Sequence, residues 1–140
     1  MSHYVDADGH IMENLADLIG YLEEPWRSND TVAPRRLLPS LDEFHTPRNR
    51  KKGTFNFNVG PEQWLEYLDK TGLESTVLYT TTALAYGHVV IPEWAIAYAR
   101  AWNNYVHETY LRRSPRFKAM ALIPMQDPPS AVEELRRAVN

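Results

Sequence analysis

Apolar residues along the chain switch between a period of two and a period near 3.6, and the switches predict short strands interleaved with longer helices. A first strand spans His3–Asp8 and runs on to His10. Leu15, Leu18, Ile19 and Leu22 then recur at helical spacing, which predicts a helix over Glu13–Leu22 that Pro25 ends. From Trp26 to Val59 no period survives, because Pro34, Pro39, Pro47 and Gly53 interrupt it. Gly60-Pro61 restarts a helix, since proline suits the first helical position, where no N–H partner is needed. Trp64, Leu65 and Leu68 form its apolar stripe, and Gly72 suits its left-handed C-cap. Ser75–Thr81, rich in β-formers, is the second strand.

The longest regular pattern lies in Ile91–Arg113, where Ala95, Ala99, Trp102, Val106 and Tyr110 make one apolar face and Pro115 closes the helix. Phe117–Ile123 follows as a third strand, apolar on both faces as parallel strands under helices tend to be. Ser130-Ala-Val-Glu133 has capping-box spacing and opens a last helix, with Ala131, Leu135, Ala138 and Val139 as its core face.

This order predicts an α/β fold: an incomplete TIM-like β/α barrel of about three parallel strands with helices, and a long insert after the first strand at about 26–59. Residues 1–140 are then the N-terminal part of a barrel domain, because a full barrel usually takes ~250 residues. A complete three-layer domain with a small sheet fits the same periodicity. An open edge at the third strand invites association with another copy.

Charge and composition narrow the function. A net charge of -3 gives no general attraction to nucleic acid or to an anionic membrane. Only Arg48-Asn-Arg-Lys-Lys52 is locally basic, and a solvated loop is its ordinary reading. The absence of cysteine excludes disulfides and thiolate metal sites, so a metal here takes histidine nitrogen and carboxylate oxygen. No leader and no apolar run of ~18 residues stands out, so the expected location is the cytoplasm.

Strict alternation along the first strand places Tyr4, Asp6, Asp8 and His10 on one face. Burying even one unpaired carboxylate costs several kcal/mol, so such a face needs water or a compensating cation. Asp8 offers a hard oxygen and His10 a borderline nitrogen, a pair suited to Zn²⁺ or, second, Mn²⁺. Both stand at the carboxyl end of the strand, where barrel enzymes place reactive groups. Asp6 is then a carboxylate that orients a ligand. An edge strand whose Asp and His simply face water is the competing reading.

Tyr4-Val-Asp-Ala-Asp-Gly-His-Ile-Met-Glu13 resembles the opening of the amidohydrolase-related family, which includes aminocarboxymuconate-semialdehyde decarboxylase and the dihydroxybenzoate decarboxylases. The resemblance continues through Thr82–Gly87, Pro92–Asn103 and Arg116–Pro128. Members open with D-x-(H/D/E)-x-H, whose last two marked residues bind metal. This implies Asp8 and His10 as metal ligands, a distorted β/α barrel, and decarboxylation of a small acid or its hydrolysis by metal-activated water. Aspartate at position 8, where many members have histidine, looks closer to the decarboxylase branch. The resemblance also implies further His and Asp ligands from strands beyond the third. The catalytic acid or base is not assigned within these residues. The different-class alternative is a truncated barrel that acts only as a binding or assembly module.

Glu13 matches a glutamate common in the family, or else is a helix-start carboxylate favoured by the helix dipole. His88, just after the second strand, is a candidate for substrate contact, although a lone loop histidine is more often solvated. Gln126 and Asp127 end the third strand, where Asp127 before Pro128 also suits a turn. Asn103, beside the apolar stripe, reads as structural, and His45 and His107 carry no interpretable context.

Overall fold

The computed structural model describes residues 4–13, 15–28 and 59–140. The expected insert therefore lies mostly outside the described residues, and with it the basic run Arg48–Lys52 and His45.

Strand β1 (Val5–Ile11) leads into a short helix α1 (Leu15–Ile19). Helix α2 (Pro61–Thr71) has Pro61 at its start and the Gln63 side chain accepting from the Gly60 N–H. It ends at Gly72, whose φ of 69° is the left-handed conformation that glycine adopts without strain. Strand β2 (Ser75–Thr80) runs into a 3₁₀ turn (Thr82–His88). Helix α3 (Pro92–Val106) continues into a single π turn (His107–Leu111). Strand β3 (Phe117–Ala119) and helix α4 (Pro128–Val139) complete the order. The strands form one parallel sheet in the order β1-β2-β3.

The core lies on one face of this sheet. Thr76 and Leu78 of β2 are buried there beside Gly9 and Ile11 of β1 and Phe117 of β3. Leu18, Leu68, Tyr98, Trp102 and Tyr110 cover them from the helices. The face expected for α3 is the buried one, with Ala95, Ala99, Trp102, Val106 and Tyr110 all inside. Its aromatics interlock: Tyr110 meets Tyr105 and Phe117 edge-on at 6.2 and 5.7 Å. On the sheet's other face Val77 and Tyr79 are half-buried and Lys118 is exposed.

Several expectations change. The third strand pairs only over Phe117–Ala119, with one more ladder bond from Met120 N–H to the Leu78 carbonyl. Residues 120–124 continue without strand pairing among the described residues. Helix α4 starts earlier than Ser130: Asp127 is its cap, its carboxylate accepting the Ser130 N–H at 3.0 Å. Its buried positions are Ala131 and Glu134, while Leu135 and Val139 are exposed. The reason is polar. Glu134, only 2% exposed, accepts from Arg137 Nε and Nη2 at 2.8 and 2.6 Å and from Asn103 Nδ2 at 2.7 Å. Asn103 also clamps Leu122, giving to its carbonyl and taking from its N–H, both at 2.9 Å. Burial pushes the Glu134 carboxyl up, but the bonds from Arg137 and Asn103 and the charges of Arg137 and Arg100 hold it below the ordinary range.

Candidate metal centre

Between Asp6 and Gly9, β1 carries one residue more than β2 opposite it, so the strand bulges there. Before the bulge Asp6 pairs with Thr76, and after it Gly9 pairs with Leu78 and His10 with Tyr79. Paired residues share a face, so Asp6 lies on the core face and His10 on the opposite one. The single charged face expected from strict alternation does not form. Asp6 stays partly buried because both its oxygens are used. Oδ2 accepts from the Thr76 hydroxyl and Oδ1 from the Asp8 N–H, each at 3.0 Å. The Asp6 side chain thus fixes the backbone from which Asp8 projects.

Asp8 and His10 come together. His10 Nε2 lies 3.4 Å from Asp8 Oδ1, and the two side chains are 35% and 87% exposed. Donors held ~2.0–2.1 Å from one tetrahedral ion sit roughly 3.3–3.4 Å apart, so this spacing fits two ligands of a shared cation. The His10 ring stacks on Tyr79, its register partner, with centroids 5.9 Å apart. Its other nitrogen, Nδ1, is 3.3 Å from the Thr81 hydroxyl. Tyr79 and Thr81 therefore hold the ring across its face and at Nδ1, with Asp8 beside Nε2. Among the described residues no third His, Asp or Glu joins the pair to make a metal-ligand group.

Glu13 is held away from the Asp8–His10 pair by other partners. It stands before α1 rather than in its first turn, and Thr80, Thr81 and Thr82 take its carboxylate. This partnership spans 67–69 residues, and nothing in the spacing of the chain announces it. His88 ends the 3₁₀ turn exposed, and no described hydrogen bond joins it to Asp8, His10 or Glu13. Gln126 and Asp127 serve the fold. Gln126 Nε2 donates to the carbonyls of Tyr86 and Val89 at 3.1 and 3.2 Å, and Asp127 caps α4. Thr76, Tyr79 and Thr81 were not singled out as site residues from the sequence. The available signal was the β2 end Tyr79-Thr-Thr-Thr82, rich in hydroxyls where a parallel sheet presents its carboxyl edge.

No protein-family model matches the chain. Over 76 residues, 54% of this chain, it is 38% identical to a gamma-resorcylate decarboxylase of Rhizobium radiobacter. Over a stretch of the same length it is 37% identical to a gamma-resorcylate decarboxylase of Rhodococcus jostii. The match spans 23% of the length of each of these relatives. Among the described residues no helix is long and apolar enough to cross a membrane.

Proposed function

We propose that this chain supplies the opening β/α units of a metal-dependent decarboxylase of the amidohydrolase-related kind, acting on a small carboxylic acid such as γ-resorcylate. The observation that carries the reaction class is the 38% identity to enzymes named for that decarboxylation. Neither hydrolysis nor a purely binding role draws support from those relatives. Parallel sheet order and a core on one face support the TIM-like reading, in which the other face lines a barrel interior.

In this reading Asp8 and His10 hold the cation, Zn²⁺ by preference for this donor pair. A divalent cation held by Asp8 and His10 would supply positive charge to an anionic substrate. Asp8, exposed at the bulge in the middle of β1, keeps the pair open to a ligand. Asp6 fixes the Asp8 backbone, and Tyr79 keeps the His10 ring from rotating. The proton that replaces CO₂ on carbon, and any further ligands, are assigned to no described residue.

Calorimetric titration of Zn²⁺ or Mn²⁺ into the purified chain tests the metal centre. One-to-one binding that Asp8→Asn and His10→Ala both abolish is expected; a wild-type chain that takes up no metal at micromolar concentration refutes it. Incubating the metal-loaded chain with γ-resorcylate and measuring CO₂ tests the reaction class. Hydrolysis of a lactone or amide without CO₂ release would replace decarboxylation by the hydrolase reading.

A further inference from the structure

The Glu13 carboxylate is saturated from across the chain. Thr80 Oγ1 and the Thr81 N–H donate to Oε1, the latter at 2.9 Å. The Thr82 N–H and hydroxyl donate to Oε2 at 2.9 and 2.8 Å. Thr80 Oγ1 also accepts the Ala83 N–H at 2.8 Å, which ties the start of the 3₁₀ turn to the same knot. With both oxygens occupied, Glu13 has no lone pair directed at a cation. Its effect is to lock the backbone of Thr80–Thr82 against the end of β1.

Of these three threonines, Thr81 is the one whose hydroxyl is not given to Glu13. That hydroxyl sits 3.3 Å from His10 Nδ1. An imidazole that donates Nδ1–H to an oxygen keeps its Nε2 lone pair free, and here Nε2 faces Asp8. We infer that Thr81 is the positioning residue that sets the tautomer and orientation of His10, and that Glu13 acts on the metal centre through Thr81. This inference rests on the metal reading above.

Thr81→Val separates the hydroxyl from everything else Thr81 does. Valine keeps the shape of this buried side chain and the N–H that Glu13 accepts. Loss of such an outer partner typically weakens metal binding ~10–100-fold. Titration with Zn²⁺ alone is therefore expected to show a drop of about tenfold or more in Thr81→Val, recovered in Thr81→Ser. Thermal melting of each variant confirms that it is folded. Glu13→Gln places an amide N–H against at least one N–H or O–H donor, so it is expected to weaken Zn²⁺ binding in the same direction as Thr81→Val.

The ring nitrogens give a second readout, which a merely structural threonine would leave unmoved. In ¹⁵N spectra of the metal-free chain with its imidazole neutral, the Nδ1–H share of His10 is expected to fall in Thr81→Val and return in Thr81→Ser. Wild-type Zn²⁺ affinity in Thr81→Val, or an unchanged tautomer share, overturns the inference and leaves the metal reading standing. A Glu13→Gln chain that melts lower yet binds Zn²⁺ as the wild type does overturns the part assigned to Glu13. A wild-type chain that binds no Zn²⁺ overturns the metal reading, and the role of Thr81 with it.

Discussion

Replacing Gly9 with alanine would put a methyl carbon 2.3 Å from Thr76 Oγ1, 3.1 Å from the Val77 carbonyl oxygen and 3.2 Å from Trp64 Cη2. The first distance is about 1 Å inside van der Waals contact. Thr76 therefore has to move, and its hydroxyl is bonded to Asp6 Oδ2 at 3.0 Å. Overpacking a close-packed site costs about 1–3 kcal/mol. Loosening a bond to a part-exposed carboxylate adds about 1 kcal/mol, toward the low end for charged acceptors because water replaces some of it. Alanine recovers about 0.5–1 kcal/mol through its smaller loss of backbone entropy. The expected balance is a destabilisation of about 2 kcal/mol, measured by urea unfolding with tryptophan fluorescence. The mechanism has its own control: in a Thr76→Ala background the closest contact is gone, so Gly9→Ala should cost at least about 1 kcal/mol less there. An equal cost in both backgrounds would refute the argument that Gly9 is present to admit Thr76.

Glu134→Gln is expected to destabilise the chain at pH 7 by about 2 kcal/mol, below the usual cost of breaking a buried pair because Arg137 and Arg100 are 42% and 38% exposed and partly screened. Because the folded-state pKa of Glu134 is lowered, its contribution is complete above the ordinary carboxylate value of about 4.3 and lost as pH falls through the folded value, so the gap between wild type and Glu134→Gln in urea should narrow as pH falls below about 4.3; a gap independent of pH contradicts this. Asn103→Ala removes three hydrogen bonds that join α3 to Leu122 and α4, and should cost about 2–3 kcal/mol in the same assay. Gly72→Ala forces a side chain into φ 69° and should cost about 1 kcal/mol, while leaving Zn²⁺ affinity unchanged.

The parts of the fold legible in the sequence are those set by local chemistry. Pro61 and Gly72 bracket α2, and the stripe from Ala95 to Tyr110 selects the buried face of α3, because proline, glycine and a 3.6-residue period act within a few residues of themselves. Helix α4 shows where that logic stops. An apolar stripe directs Leu135 and Val139 inward, but three partners on α3 and α4 make Glu134 the better buried residue. The clue was present in Asn103 beside the α3 stripe and in Arg137 three places after Glu134, yet joining them requires knowing that α3 and α4 touch. Likewise Asp8 and His10 are legible as a pair because they are two apart in one strand. Thr81 and Glu13 are not, because 68 residues separate them and only the β1–β2 register brings them together.

The bulge in β1 also bears on whether the strand needs a cation. With Asp6, Asp8 and His10 on one buried face, folding itself would demand a cation to offset the charge. The extra residue removes that demand. Asp6 turns inward to Thr76 and the Asp8 N–H, Asp8 turns out to solvent, and His10 lies on the opposite face from Asp6, against Tyr79. The strand is therefore expected to fold without a metal, and metal binding to add stability without being a condition of folding. What supports the cation reading is finer: two donors lie 3.4 Å apart, and the ring of one is met at Nδ1 by Thr81 and across its face by Tyr79, with Nε2 turned toward Asp8. A surface Asp-His pair with no further role would gain little from this, since an exposed ion pair contributes ~0–1 kcal/mol. The constraints around His10 become intelligible when the arrangement serves a ligand that both side chains hold at once.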